Sequence, residues 1–186
     1  MTHPPDRPAD RRREIYRGRV VNLGVETVTL PNGATVELEV IRHQGASAVV
    51  PLQEDGTVLL IRQYRHAAGG FIYEIPAGKL DPGENPLECA ERELEEETGR
   101  RAACLRHLVT FFTTPGFTDE IIHIYLATGL TPGTQHLEHD EVLEVVEMPL
   151  EHALQRIADG TIRDGKTIIG LQTVYLSRQR HGGGRP

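Results

Sequence analysis

Residues 78–99 read GKLDPGENPLECAERELEEETG. The stretch divides at Asn85: a loop of glycines and prolines precedes it, and Leu87, Ala90 and Leu94 then recur at the spacing of one helical face. Asn85 is a good cap, Pro86 suits a first helical position and Gly99 supplies a left-handed stop, so the spacing predicts a helix from Pro86 to Gly99. That helix carries Glu91, Glu93, Glu95, Glu96 and Glu97, with only Arg92 to balance them. At about 100° per residue, Glu93, Glu96 and Glu97 fall within about 100° of one another beside the apolar stripe. Like charges so spaced repel by roughly a few tenths of a kcal/mol per pair on an isolated helix, and by more where burial lowers the dielectric. A merely solvated acidic face interleaves lysines four residues on, and this one has none. Three carboxylates behind the loop Pro76–Glu84 therefore ask for a cation. Hard oxygen ligands in this number suit Mg²⁺ or Mn²⁺, which share their remaining positions with water and substrate phosphates.

Working outward, strands dominate the first half. Val25–Leu30 and Thr35–Val40 flank Pro31-Asn32-Gly33, and the second run alternates Val36, Leu38 and Val40 with Glu37 and Glu39, as in a hairpin with one wet face. Ala48–Leu52 and Thr57–Gln63 form a further pair of strand candidates around Glu54-Asp55-Gly56, and Phe71–Ile75 is a short strand stopped by Pro76. Strands return at Leu105–Phe112, Glu120–Leu130 and Val142–Met148. Helices are expected at Leu150–Asp159 and from about Lys166 to Gln179, the latter with Ile168, Leu171, Val174 and Tyr175 on one side. Many strands with few helices give an α+β class or a helix-covered mixed sheet.

Composition sets limits. The chain has 186 residues, within a single-domain prior, and 38% of them are apolar, with no run long enough to span a bilayer. Its formal net charge is −7, and only Lys79 and Lys166 among its basic residues are lysines, so neither a membrane nor nucleic acid is an expected partner. Cys89 and Cys104, the only cysteines, are too few for a disulfide framework and lack metal-ligand spacing; they read as packing residues. The first residues lack the apolar stretch of a signal peptide, and a cytoplasmic location is the expectation. Residues 1–13 and 181–186 hold no apolar run and are expected to be mobile tails, leaving a strand region over 14–45 and the main domain over 46–180.

Gly78, Glu84, Arg92, Glu93, Leu94, Glu96, Glu97 and Gly99 together resemble the Nudix box, G-x5-E-x7-R-E-U-x-E-E-x-G-U with U apolar. Every spacing agrees; the one departure is Arg100 at the final apolar position. The flanks extend the likeness to the ADP-ribose pyrophosphatase branch through Ile61–Arg65, Glu74–Leu80, Thr114–Glu120, Asp140–Val145 and Asp164–Thr167. In that branch Pro115 is a marker. The resemblance implies a Nudix-type α/β/α sandwich with a central mixed β-sheet, preceded by an N-terminal antiparallel strand region. It implies Glu93 and Glu97 as direct metal ligands, Glu96 as an inner-shell or water-mediated ligand, and the Ala77 carbonyl as a further one. Glu84 and Arg92 would make a bidentate pair steadying the loop, with Gly78 and Gly99 structural in the motif. Arg65 would contact the diphosphate. Glu141, or secondly Glu138, would activate the attacking water; His139 is a further candidate base. The implied reaction is Mg²⁺-dependent hydrolysis of ADP-ribose to AMP and ribose 5-phosphate by a homodimer. An NDP-sugar or dinucleotide is the alternative substrate, and a non-catalytic nucleotide sensor the alternative class.

Overall fold

The computed structural model describes residues 11–139 and 141–182, so the expected tails at 1–10 and 183–186, and Asp140, lie outside the described residues. The chain is α+β, with a central mixed sheet and, among the described residues, three α-helices. It divides into two compact units, one of residues up to Gly45 together with Thr110–Ile122, the other of Ala46–Val109 and residues from His123 onward.

In the first unit, β1 (Arg11–Arg17), β2 (Asn22–Thr29) and β3 (Thr35–Arg42) form an antiparallel sheet in the order β1-β2-β3. The hairpin closes with Thr29 opposite Thr35, and Gly33, at φ 83°, provides the left-handed residue of its turn. β1 corrects the expectation of a tail through Arg13. Arg11, Arg12 and Arg13 pair with Thr27, Glu26 and Val25, because the backbone ladder and an ion pair from Arg12 to the buried Glu26 order a stretch with no apolar run. Segment 117–119 joins the edge of β3: the Ile41 amide donates to the Phe117 carbonyl at 2.8 Å, and the His43 amide donates to Asp119 Oδ1 at 2.7 Å.

The second unit contains β4 (Ala46–Pro51), β5 (Thr57–Arg65), β6 (Gly70–Glu74), β7 (Ala77–Lys79), α1 (Pro86–Thr98), β10 (Leu143–Pro149), α2 (Leu150–Ala158) and α3 (Gly165–Gly182). Strands β8 (Arg100–Phe112) and β9 (Ile121–Pro132) lie largely within it. The strands order as β7-β4-β9-β8 and β10-β5-β6. Leu52, just past β4, makes an isolated bridge to Val58 at the start of β5, and the two strands enter different sheets. Ser47–Pro51 and Val58–Ile61 are buried without alternation, as interior strands covered on both faces are. The three-residue β7 falls in what the sequence presents as loop, and α3 continues through His181 and Gly182, where a tail was expected.

The core gathers Val49, Val50, Leu60, Ile61, Ile75, Leu94, Ile124 and Leu171, all essentially inaccessible. Helix α1 packs on β4 and β7, and α3 on β4 and β6. The buried stripe of α3 is Thr167, Gly170, Leu171 and Val174, with Ile168 and Tyr175 half-buried at its edge. A Cβ on Gly170 would come within 2.9 Å of Val50 Cγ2, so glycine there sets how closely α3 approaches β4.

Candidate metal and diphosphate site

Both ends of α1 are fixed by local chemistry. Asn85 Oδ1 accepts from the amides of Leu87 and Glu88 at 2.9 and 3.1 Å, and the Glu88 side chain returns to the Asn85 amide, completing a capping box. Gly99, at φ 64°, donates to the Glu95 carbonyl at 2.8 Å and stops the helix. With both ends set, helical phase decides the faces. Cys89, Ala90 and Leu94 enter the core, Glu93 and Glu97 are buried beside them one turn apart, and Glu96 is only half-buried. Burial pushes the Cys89 thiol up to about 12, which leaves it an inert packing group.

Arg92 organises the glutamates. Its Nε and Nη2 donate to the two oxygens of Glu84 at 2.9 and 3.1 Å, a bidentate pair, while Nη1 donates to Glu93 at 2.6 Å and Glu96 at 2.9 Å. Glu84 also accepts the Asp81 amide at 2.9 Å, tying the loop to the helix. The Arg92 bond holds the Glu84 carboxyl down at about 2. The inner pair behaves oppositely. Burial pushes Glu93 up to about 7 against the pull of Arg92, with Glu96 and Glu141 acting in the same upward direction. Burial and the charge of Glu93 raise Glu97 well above the usual carboxylate range, although the Ala77 amide donates to it at 2.8 Å.

Among the described residues no group of three acidic, histidine or cysteine side chains is already drawn together around a single point. The reason is visible: Arg92 holds Glu93 and Glu96, and Glu97 is turned to the Ala77 amide. The donor chemistry nonetheless fits a hard divalent cation, since two buried carboxylates disfavour their own charge and one arginine serves three acids. The backbone leaves room for one of them. A Cβ on Gly78 would lie 1.7 Å from Glu93 Oε1, so glycine there gives the carboxylate its place.

Arg65 stands at the end of β5, its Nε and Nη2 donating to the buried Glu74 at 2.7 and 3.1 Å. Lys166, at the start of α3, binds the same carboxylate and lies 3.2 Å from Asp164. Burial works to raise Glu74, but the two cations outweigh it and hold the group below the usual range. Arg65 lies within electrostatic reach of Glu97 and Asp164, and Lys166 within reach of Glu97. Glu141 reaches Glu93 and Glu97 electrostatically from a turn closed by its own carboxylate on the Glu138 amide at 2.9 Å; Glu138 itself is exposed. Glu96 thus sits beside Glu93 on the same Arg92 Nη1, Glu97 accepts from the Ala77 amide with Arg65, Lys166 and Glu141 within electrostatic reach, and Glu138 is exposed. Sequence reasoning assigned Glu74 and Lys166 no role. The available signal was a carboxylate ending an apolar strand, a placement that requires a cationic partner.

The NUDIX domain family matches this chain over residues 42–168. The methanol dehydrogenase activator of Bacillus methanolicus is 45% identical over 165 residues, covering 88% of this chain and 89% of that protein. The ADP-ribose pyrophosphatase of Bacillus subtilis (strain 168) is 41% identical over 167 residues, covering 89% and 90%. A crystal structure of an ADP compounds hydrolase superposes with a TM-score of 0.79 at 26% identity, covering 95% of each chain. The capped helix with its paired Arg92 and Glu84, and its buried Glu93 and Glu97, therefore belongs to a Nudix hydrolase, and this chain is a member of the NUDIX family.

Proposed function

We propose that the chain hydrolyses the diphosphate of ADP-ribose to AMP and ribose 5-phosphate with Mg²⁺, Mn²⁺ being a substitute. The observation that carries this reading is the buried pair Glu93 and Glu97, one turn apart on a helix whose Arg92 alone serves Glu84, Glu93 and Glu96. The 41% identity to an ADP-ribose pyrophosphatase supports the substrate.

Glu93 and Glu97 would hold the cation, with Glu96 and the Ala77 carbonyl completing the donor set. A divalent cation in such a site neutralises diphosphate oxygens and lowers the pKa of water. The Arg65 guanidinium, held by Glu74, presents a planar fork suited to phosphate oxygens. Glu141, or secondly Glu138, would take a proton from the attacking water. Arg92, bidentate to Glu84, fixes the loop, and Glu93 and Glu96, which it also holds, are the carboxylates that would be offered to the cation. A homodimer built through the first unit belongs to the same proposal, supported by the exposed Ile15, Tyr16, Val20, Val21 and Leu38 there. Sedimentation at micromolar protein tests it, and a monomer would exclude it. No described helix is long and apolar enough to cross a membrane, and the free thiols of Cys89 and Cys104 support a cytoplasmic setting, which fractionation of cells would test.

The decisive experiment is hydrolysis with Mg²⁺ of ADP-ribose against UDP-glucose, GDP-mannose, NADH and diadenosine polyphosphates, with Glu97→Gln as control. The highest kcat/KM on ADP-ribose, with release of AMP and loss in the variant, is the expected result. Preference for another compound would keep the chemistry and replace the substrate; no turnover with any divalent metal would favour a nucleotide sensor. The 45% identity to a methanol dehydrogenase activator favours a second reading, in which the chain raises the rate of a dehydrogenase. Adding it to methanol dehydrogenase and finding no acceleration would remove that reading.

A further inference from the structure

Among the described residues one buried side-chain oxygen or nitrogen has no hydrogen-bond partner, Gln63 Oε1. Gln63 is 4% exposed, in a strand where Leu59 and Ile61 before it are fully buried. An acceptor left unmatched in the interior costs free energy that a leucine or methionine of similar shape would not.

Its position says what it faces. Side chains alternate along β5, so Leu59, Ile61, Gln63 and Arg65 share one face. Across the ladder Ile61 pairs with Glu74 and Gln63 with Ile72, and on the other side Gln63 pairs with Leu143, two residues beyond Glu141. This is the face on which Arg65 grips Glu74, and Lys166 of α3 reaches the same carboxylate. Helix α1, carrying Glu93 and Glu97, packs against β5 and β10. Gln63 is thus two residues before Arg65 on the same face of β5, and opposite Leu143 of the strand that follows Glu141.

We infer that Gln63 is a positioning residue of this site, its carboxamide oxygen receiving an O–H donor that arrives with the bound substrate complex. The inference rests on the hydrolase reading above. Diphosphate oxygens near neutral pH only accept, so they match Arg65 and leave Gln63 Oε1 unsatisfied. Two sources carry the required donor: water ordered at the site and a sugar hydroxyl of the substrate.

The test uses Gln63→Met and Gln63→Leu in the full chain, with kinetics on whichever diphosphate the wild type cleaves fastest, so that a different substrate leaves this inference open to the same trial. In the metal-free proteins the melting temperature is expected to equal or exceed that of the wild type, because an unmatched acceptor has been removed. Turnover is expected to suffer. If the donor is water, kcat falls by about tenfold or more with KM little changed; if it is a sugar hydroxyl, KM rises by a similar factor and kcat is retained. Unchanged kcat and KM in both variants would overturn the inference. So would a lower metal-free melting temperature with a proportional loss of activity, which is the mark of a packing role.

Discussion

Two arginine–carboxylate clusters, one in each compact unit, are made of the same groups and come to opposite balances. In the first unit the buried Glu26 accepts from Arg12 Nε at 3.1 Å and from Arg42 Nε and Nη2 at 2.9 and 2.7 Å, and Arg42 also donates to Asp119 at 3.0 Å. Two acids meet two arginines, and the Arg42 guanidinium is held above its ordinary range, chiefly by Glu26. In the second unit Arg92 alone serves Glu84, Glu93 and Glu96, with Glu97 buried one turn from Glu93. There the surplus is negative and the inner pair resists ionisation. A matched cluster fastens strands; a mismatched one retains an appetite for an external cation.

The contrast breaks if removing a surplus acid behaves like removing a matched one. Glu97→Gln is expected to lower kcat/KM by about a hundredfold or more while leaving the metal-free melting temperature unchanged or higher, since a buried like charge is gone; steady-state kinetics and a melt in chelator measure both. Glu26→Gln should do the reverse and destabilise by about 2 kcal/mol, less than a fully buried pair would lose because Arg12 and Arg42 are partly solvated. Urea denaturation reads that loss. Magnesium at tenfold over its Kd should stabilise the wild type by about 1.4 kcal/mol and Glu97→Gln by far less, which calorimetry would show.

Acidity sharpens the comparison within the second unit, where neighbours carry opposite signs. Glu84, held at about 2, contributes stability that is present above its ordinary 4.5 and is lost as the pH falls toward 2. Glu93, raised to about 7, contributes stability present below 4.5 and lost as the pH rises through 7. In chelator, stability should therefore decline from pH 5 to pH 8 in the wild type and decline less in Glu93→Gln; a flat wild-type profile would contradict the buried placement of Glu93.

Helix α1 was legible because its signals are local: Asn85, Pro86, Ala90, Leu94 and Gly99 all act within a turn or two, although Leu87, expected on the buried stripe, is exposed and Cys89 takes that place. The same locality exposed the convergence of Glu93 and Glu97. What stayed hidden depends on chain brought from afar. Arg11–Arg13 look like tail until Glu26 and the β2 ladder are present. The runs around Glu54-Asp55-Gly56 are legible as two strands about a turn, but the flanking of β5 by β10 and β6 is not. Glu74 and Lys166, separated by 92 positions, carry no shared pattern for a reader of sequence to find. Arg65 was singled out only through resemblance, and its carboxylate partner, Glu74, was not.

The vacancy at residue 78 has its own consequence. With a Cβ position only 1.7 Å from Glu93 Oε1, a single methyl there is a plug shaped by the backbone for the volume the carboxylate occupies. Gly78→Ala would act as an intramolecular competitor of zero charge, displacing the Glu93 carboxylate while every ionisable group of the chain is kept. It offers a silent counterpart of the enzyme, distinct from any glutamate replacement, in which geometry alone has been subtracted.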